Sequence, residues 1–201
     1  MRKNHLWMLA AILFCGLATV FTSCSKDDDD SGKKEEDTPT TTKVADRVEV
    51  KNYVAVADDM LQLFDITITD EGPNLGKNSR KLEKVLWIGG EVWENISTRT
   101  DKKAIFSLSV TVTPKAGVQV DVNKNYLLGM ETVLAYLIQT SKFETLDANG
   151  TRPNVTALSV SGSQLTEAKL KQLAETYTGF GAKTLEVYKD YYVVDGVKRN
   201  Y

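Results

Sequence analysis

Glu91 and Glu94 flank Trp93 and stand close to Trp87. Two carboxyl groups beside aromatic rings are the parts of a glycosidase site, one acting as acid and the other as nucleophile or base. Their separation decides the stereochemistry, and sequence spacing does not supply it. The aromatic residues offer a different chemistry. Trp87, Trp93, Tyr188, Tyr191 and Tyr192 are large amphipathic rings of the kind enriched at binding surfaces, and a coplanar set would take a sugar or a protein loop. The same residue types are ordinary occupants of sheets. In an extended chain the consecutive pair Tyr191-Tyr192 points to opposite faces, so one of the two is expected at the surface.

Other constellations fail on chemistry. Asp121, Asn123 and Asn125 are spaced like the start of a calcium-binding EF-hand loop, but Tyr126 stands where glycine is needed and Thr132 where a bidentate glutamate is needed. Ser31 and Lys34 have the spacing of a serine nucleophile and its lysine, within a stretch that has nothing to hold their geometry. The single histidine is His5, and the two cysteines are Cys15 and Cys24. From Ser25 onward the chain has neither residue type. That removes Ser-His-Asp and Cys-His catalysis, and nearly all zinc, copper and haem ligation, from the following segment. No cofactor and no metal are expected. From Val44 onward 19 Lys and Arg stand against 20 Asp and Glu, a net charge of −1; they are interspersed and without a basic stripe, so there is no electrostatic footing for nucleic acid.

The first residues carry the clearest signals. Met1-Arg2-Lys3 is cationic, and Leu6 to Phe21 is a run without charge. That run is shorter than the roughly 20 residues a bilayer core requires and suits the apolar region of a cleaved signal peptide. Phe21-Thr22-Ser23-Cys24 resembles a bacterial lipobox, with phenylalanine in place of the usual leucine and small residues before the cysteine. Lys26 and Asp27, Asp28, Asp29 and Asp30 follow at once. They are similar to the acidic export signal behind the lipidated cysteine of Bacteroidota lipoproteins. The resemblance implies cleavage before Cys24, acylation of Cys24 and display on the outer face of the outer membrane. Each buried methylene of such an anchor contributes about 0.8 kcal/mol, and more than one chain makes attachment stable without a membrane span. A solvated spacer is the plainer reading of the four aspartates. Calcium binding by them lacks a preorganised oxygen cage. The chain as a whole is also similar to small Bacteroidota lipoproteins, most visibly at Asp58 to Thr67, and that group supplies no functional residues to carry over.

Three segments follow: a signal peptide over 1–23, a lipidated cysteine with a flexible acidic tether over 24–43, and one β-rich globular domain over 44–201. Residues 25–43 have no large apolar side chain and cannot offset their ordering entropy by burial. Within the domain Val48, Val50, Val54 and Val56 alternate, as do Phe64, Ile66 and Ile68, with a turn or bulge expected at Asp58-Asp59. The cluster Glu71 to Gly76 predicts a turn. A strand is expected over 82–88, broken at Gly89-Gly90, with a continuation over 92–98. Ala104 to Thr113 is the most regular strand, with Phe106, Leu108, Val110 and Val112 on one face and Ser107, Ser109, Thr111 and Thr113 on the other. Tyr126 to Ile138 fits either period; strand is preferred, running on toward Phe143 and Leu146, with a turn at Asp147 to Gly150. Thr166 is placed to cap a helix, stapled by Leu165 and Leu170, with a stripe of Leu170, Leu173, Ala174 and Tyr177 and Gly179 as its C-terminal stop. A strand over 184–194 and a turn at Asp195-Gly196 close the pattern.

The expected fold is mainly β (α+β): an antiparallel sheet or β-sandwich with one helix from the C-terminal half packed on it. The expected function is a non-enzymatic, outer-membrane, surface-exposed lipoprotein that binds a glycan or protein partner. One alternative is a carboxylate-based hydrolase using Glu91 and Glu94. Another is an accessory subunit of an outer-membrane assembly, joined through an exposed sheet edge.

Overall fold

Alternation of apolar and polar residues dominates the chain, and the computed structural model places those rows against one another in antiparallel sheets. It describes residues 43–100 and 103–201. The lipobox, Cys24, Lys26 and Asp27 to Asp30 lie outside the described residues. The strands are β1 (Arg47–Val56), β2 (Phe64–Gly72), β3 (Gly76–Lys81), β4 (Leu86–Glu94), β5 (Lys103–Pro114), β6 (Asn125–Leu128), β7 (Met130–Gln139), β8 (Thr145–Asn149), β9 (Leu158–Ser161), β10 (Lys183–Tyr188), β11 (Tyr191–Val194) and β12 (Val197–Asn200). The helices are α1 (Met60–Leu63) and α2 (Glu167–Phe180).

One sheet has the order β4-β1-β7-β8, a second β12-β11-β10-β5-β2-β3, and β6 pairs with β9 in a third. All pairings are antiparallel. The inward rows of the two larger sheets meet in two apolar clusters. Val48 and Val50 of β1, Trp93 of β4, and Tyr136 and Ile138 of β7 pack with Ala104 and Phe106 of β5, Leu185 and Val187 of β10, and Tyr192 of β11. The second cluster joins Val54 and Val56, Phe64, Ile66 and Ile68, and Leu108, Val110 and Val112 to Met60 and Leu63 of α1, Tyr126 and Leu128 of β6, and Leu165, Leu170 and Ala174 around α2. Each fully buried Val, Leu, Ile or Phe contributes about 1.5–3 kcal/mol. The fold is mainly β with one main helix, as the alternation predicts.

Helix α2 starts as its sequence implies. The Thr166 hydroxyl accepts from the Lys169 N–H at 3.2 Å, and Leu165 and Leu170 are buried in the same cluster. Its end differs from expectation. The helix runs through Gly179 to Phe180, and Gly181 follows in right-handed conformation. Gly181 is needed for space: a Cβ there would come within 2.8 Å of Val110. The helix lies beside β5 beyond the stretch that β10 covers. There Thr178 Oγ1 accepts from the Val112 N–H at 2.9 Å, and one side-chain hydroxyl occupies the edge where a strand would otherwise pair.

The turn expected at Asp58-Asp59 is present and leads into the helical turn α1, after which the chain enters the other sheet. Several other local expectations are corrected. Gly89-Gly90 does not break β4, which pairs with β1 from Leu86 to Glu94 without a register shift. Gly90 holds φ +140°, and a Cβ would lie 2.0 Å from the Val50 carbonyl oxygen, so glycine lets the two backbones approach. Residues 96–98 are a 3-10 turn rather than strand. Tyr126 to Ile138 is two strands, divided at Gly129, in different sheets. The turn after β7 lies at Thr140 to Glu144, where Thr140 N–H donates to the Glu144 carbonyl at 2.9 Å, while Asp147 to Asn149 belong to β8. The segment expected as one strand over 184–194 is the β10–β11 hairpin. Strand β3, with sequence GKNSRK and almost wholly exposed, has no apolar alternation to announce it.

Thr178→Val keeps the shape of the side chain and removes the hydroxyl. It is expected to destabilise the domain by about 1–2 kcal/mol, the cost of leaving a part-buried backbone N–H unpartnered, seen as a lowered urea midpoint. An unchanged midpoint would mean that water replaces the hydroxyl without loss.

Candidate interaction surface

Strand alternation separates the two carboxylates. Residues three apart on a strand face opposite ways, and Glu91 and Glu94 do so on β4. Glu94 lies outside, paired with Arg47 at 3.2 Å. Glu91 reaches across to the β2–β3 turn, where Oε2 accepts from the Asn74 N–H at 3.2 Å and the Leu75 N–H at 3.1 Å. A Cβ on Gly72 would sit 1.7 Å from Glu91 Oε1, so the carboxylate fills the room that glycine leaves. Burial, with a smaller contribution from neighbouring Asp70, pushes the Glu91 carboxyl above its ordinary value despite those two hydrogen bonds. Glu91 is a clasp between the two sheets, and it forms no acid–base pair with Glu94.

The five aromatic residues are not brought onto one platform. Trp93 is only 8 % exposed and Tyr192 only 4 %; both belong to the core. The Arg99 guanidinium covers Trp93 at 4.2 Å. Trp87 packs against the other cluster, with Arg80 over its ring at 5.1 Å, and Arg80 is held by the buried Asp70 at 3.0 Å. Tyr192 and Tyr136 both donate to the Asp147 carboxylate, and Tyr192 stacks on Tyr201 at 5.5 Å. Tyr191 does turn to the opposite face from Tyr192. It stacks on Tyr188 at 4.3 Å and 13°. Lys198 Nζ lies 4.0 Å from the Tyr191 ring centre and Lys103 Nζ 5.9 Å from that of Tyr188. The result is a Lys-Tyr-Tyr-Lys column, with the ring faces occupied by one another and by ammonium groups.

The loop that imitates an EF-hand does structural work. Asp121 Oδ1 accepts from the Asn123 N–H at 2.9 Å, and Lys124 Nζ bonds Asp59 at 2.7 Å. Asp59 also accepts from the Leu127 N–H at 2.7 Å. Burial works against the Asp59 charge, but Lys124 and Leu127 outweigh it and hold the carboxyl below its usual value. Lys124 Nζ also donates to Gln62 Oε1 at 2.9 Å, so the loop is tied to α1 by an ammonium group rather than arranged around a cation.

The outer side of β4 is the surface that alternation did not identify. Leu86, Ile88 and Val92 point outward and are 46 %, 57 % and 40 % exposed. Register places Tyr53 beside Ile88, and Glu49 beside Val92. Across β1 the outer row continues with Val133, Ala135 and Leu137 of β7. Residues 150–157 cover the β7 side. A Cβ on Gly150 would lie 2.1 Å from Ala135 Cβ, and the Asn154 N–H donates to the Glu131 carboxylate. The β4 side stays open.

Its backbone edge is open as well. Val56 N–H donates to the Val85 carbonyl on the β1 side, whereas the Asn74 side-chain amide reaches the Val92 carbonyl from the other side at 3.1 Å. Alternation then turns the N–H and C=O groups of Leu86, Ile88 and Gly90 toward the free edge, and no hydrogen bond from another described residue meets them there. The other edge on this flank, β3, carries Lys77, Arg80 and Lys81, the usual deterrent to strand addition. From Leu86 to Gly90, β4 carries no charge and no proline. A contiguous exposed apolar row with an unpaired edge marks an interaction site. Its sequence signals are Leu86 and Ile88 on the opposite phase from Trp87 and Trp93, but which phase faced the core was decided by packing.

Because the Glu91 pKa is raised in the fold, the charged form is disfavoured there and its contribution to stability is lost as pH rises above about its ordinary value of 4.5. Glu91→Gln keeps a carbonyl oxygen for the turn and removes the charge. The variant is expected to gain stability relative to the parent between pH 4 and pH 7, read as diverging urea midpoints. A difference that does not change with pH would refute the assignment. Compared with known protein families, curated proteins and solved structures, the chain matches none.

Proposed function

We propose that this chain is a lipid-anchored, non-enzymatic binding protein displayed at the outer membrane surface, and that its β domain engages a protein partner through β4. The anchor rests on the resemblance of Phe21 to Cys24 to a lipobox, followed by the acidic run from Asp27 to Asp30. A tether of polar residues over 25–43 would join the β domain over 44–201 to its membrane attachment. Among the described residues no helix is long and apolar enough to cross a bilayer.

The observation that carries the binding reading is the coincidence, on one edge strand, of exposed Leu86 and Ile88 side chains with unpaired main-chain groups. Main-chain pairing supplies affinity and the flanking apolar side chains supply specificity in such contacts. A protein is favoured over a glycan because Trp93 and Tyr192 are buried and the Tyr188–Tyr191 stack presents no open ring face. The carboxylate hydrolase loses its geometric basis, since Glu91 is committed to the β2–β3 turn and Glu94 to Arg47.

A photoreactive phenylalanine analogue in place of Ile88, in intact cells, is expected to give a discrete protein adduct on illumination, and the same analogue at Ser109 on the other sheet to give none. External protease is expected to remove the domain while a periplasmic control survives. Absence of an adduct from position 88 overturns binding through β4. Loss of the domain only after the outer membrane is opened overturns surface display.

A further inference from the structure

The free edge of β4 has narrow limits. Asn74 occupies the Val92 carbonyl, and at the other end the chain leaves the strand before Leu86. The window is therefore Leu86 to Gly90, with three residues, Leu86, Ile88 and Gly90, turned toward an incoming strand. Any occupant must supply an uncharged extended segment of the same length. It must also fill a notch, because Gly90 puts no side chain on the outer face between Ile88 and Val92. Glycine is required at that place by the Val50 carbonyl beneath it, so the notch belongs to the fold.

We propose that the occupant is β4 of a second copy of this chain, paired antiparallel about a two-fold axis at Ile88. This deepens the reading of β4 as a protein-binding edge and rests on it. The axis sets Ile88 opposite the partner's Ile88, and Leu86 opposite the partner's Gly90. All three edge residues then fall into pairs that exchange both main-chain bonds, about six hydrogen bonds in all. On the outer face Leu86 of each copy lies over the gap left by the partner's Gly90. Large meets absent, twice, and the exposed apolar row becomes continuous across the junction. A contact of the same patch on both subunits closes on itself and ends at a dimer.

Charge does not oppose the arrangement. Between Leu86 and Gly90 no ionisable side chain is present. Of the cations of neighbouring β3, Arg80 is met within its own copy by Asp70 at 3.0 Å and Lys81 by Asp65 at 2.7 Å, while Lys77 stands opposite Glu71 by register. On the inner face Trp87 lies back over Gly89 of its own strand, since a Cβ on Gly89 would be 2.4 Å from that ring. The ring stays clear of the edge. The paired sheets would form one eight-stranded surface, with the 150–157 straps at its outer flanks.

The test uses the full chain in intact cells. Opposed residues of a hydrogen-bonded antiparallel pair have Cα atoms about 5.5 Å apart, inside the range of about 4.4–6.8 Å that a disulfide accepts. Ile88→Cys treated with diamide is expected to give a band of twice the chain mass that reductant reverses. The parent chain and Ser109→Cys are expected to give none. Adding Leu86→Lys to Ile88→Cys removes the side chain that fills the notch and places a charge there, and is expected to lower the doubled band at least tenfold. Absence of a doubled-mass band from Ile88→Cys overturns the pairing. A reversible band of some other mass also overturns it, while leaving a different protein as the occupant of β4; failure of that broader reading shows instead as the loss of every adduct at position 88.

Discussion

Everything in this domain hangs on the burial of two inward rows, Val48 to Val56 on β1 and Ala104 to Val112 on β5. Each row runs through both apolar clusters, so the two halves of the core cannot separate without exposing both strands. β1 is flanked by β4 and β7, and β5 by β10 and β2, which places both strands inside their sheets rather than at an edge. Period-two alternation makes this arrangement strict, because a slip of one residue would turn each row to solvent. The polar exception on β1 is Asn52, buried beside Gly89 and Leu134 by register.

A sandwich of this kind leaves main-chain edges to be managed, and the chain uses a different device at each place. Thr178 answers the uncovered stretch of β5 with one hydroxyl. β3 is polar and cationic. The β4 and β3 flank is drawn together by Glu91 on the turn at Asn74 and Leu75, and by Arg80 between Asp70 and Trp87. At the opposite flank Asp147 receives Tyr136 and Tyr192, and the Tyr201 hydroxyl donates to the carbonyls of Tyr188 and Tyr191 at 3.0 and 3.2 Å. These clasps use most of the residues that looked chemically active. A carboxylate bound to two backbone N–H groups, or an aromatic ring packed in the core, is positioned for stability. Among the described residues, β4 keeps a short uncharged window, and its exposure carries the functional reading because nothing in the packing of the domain calls for it.

Strand existence was legible wherever one face is buried and the other wet, as on β1, β2 and β5. The start of α2 was legible too, since Thr166, Leu165 and Leu170 act within one turn. Legibility failed where the decisive contact lies far along the chain. The helix passes through Gly179, and the glycine that matters beyond its end is Gly181, required by the nearness of Val110 some seventy residues away. β3 has no buried face and so no pattern. The paired glycines at 89 and 90 looked like a break, yet the strand passes through them because its partner's backbone comes close. The split at Gly129 was hidden because both halves are extended and apolar.

The sequence by itself determined the alternation, the single main helix and its cap, the near-neutral charge, and the absence of histidine and cysteine beyond Cys24. Those properties are local or compositional, and a chain cannot rearrange them. Only the tertiary structure decided that Glu91 and Glu94 part company, that Trp93 and Tyr192 go inside while Tyr188 and Tyr191 stack outside, and that Leu86 and Ile88 lie on an open edge. Each of those outcomes depends on which strand neighbours which and on which phase of an alternating segment meets the core, and that choice is made by the summed burial of all the strands together.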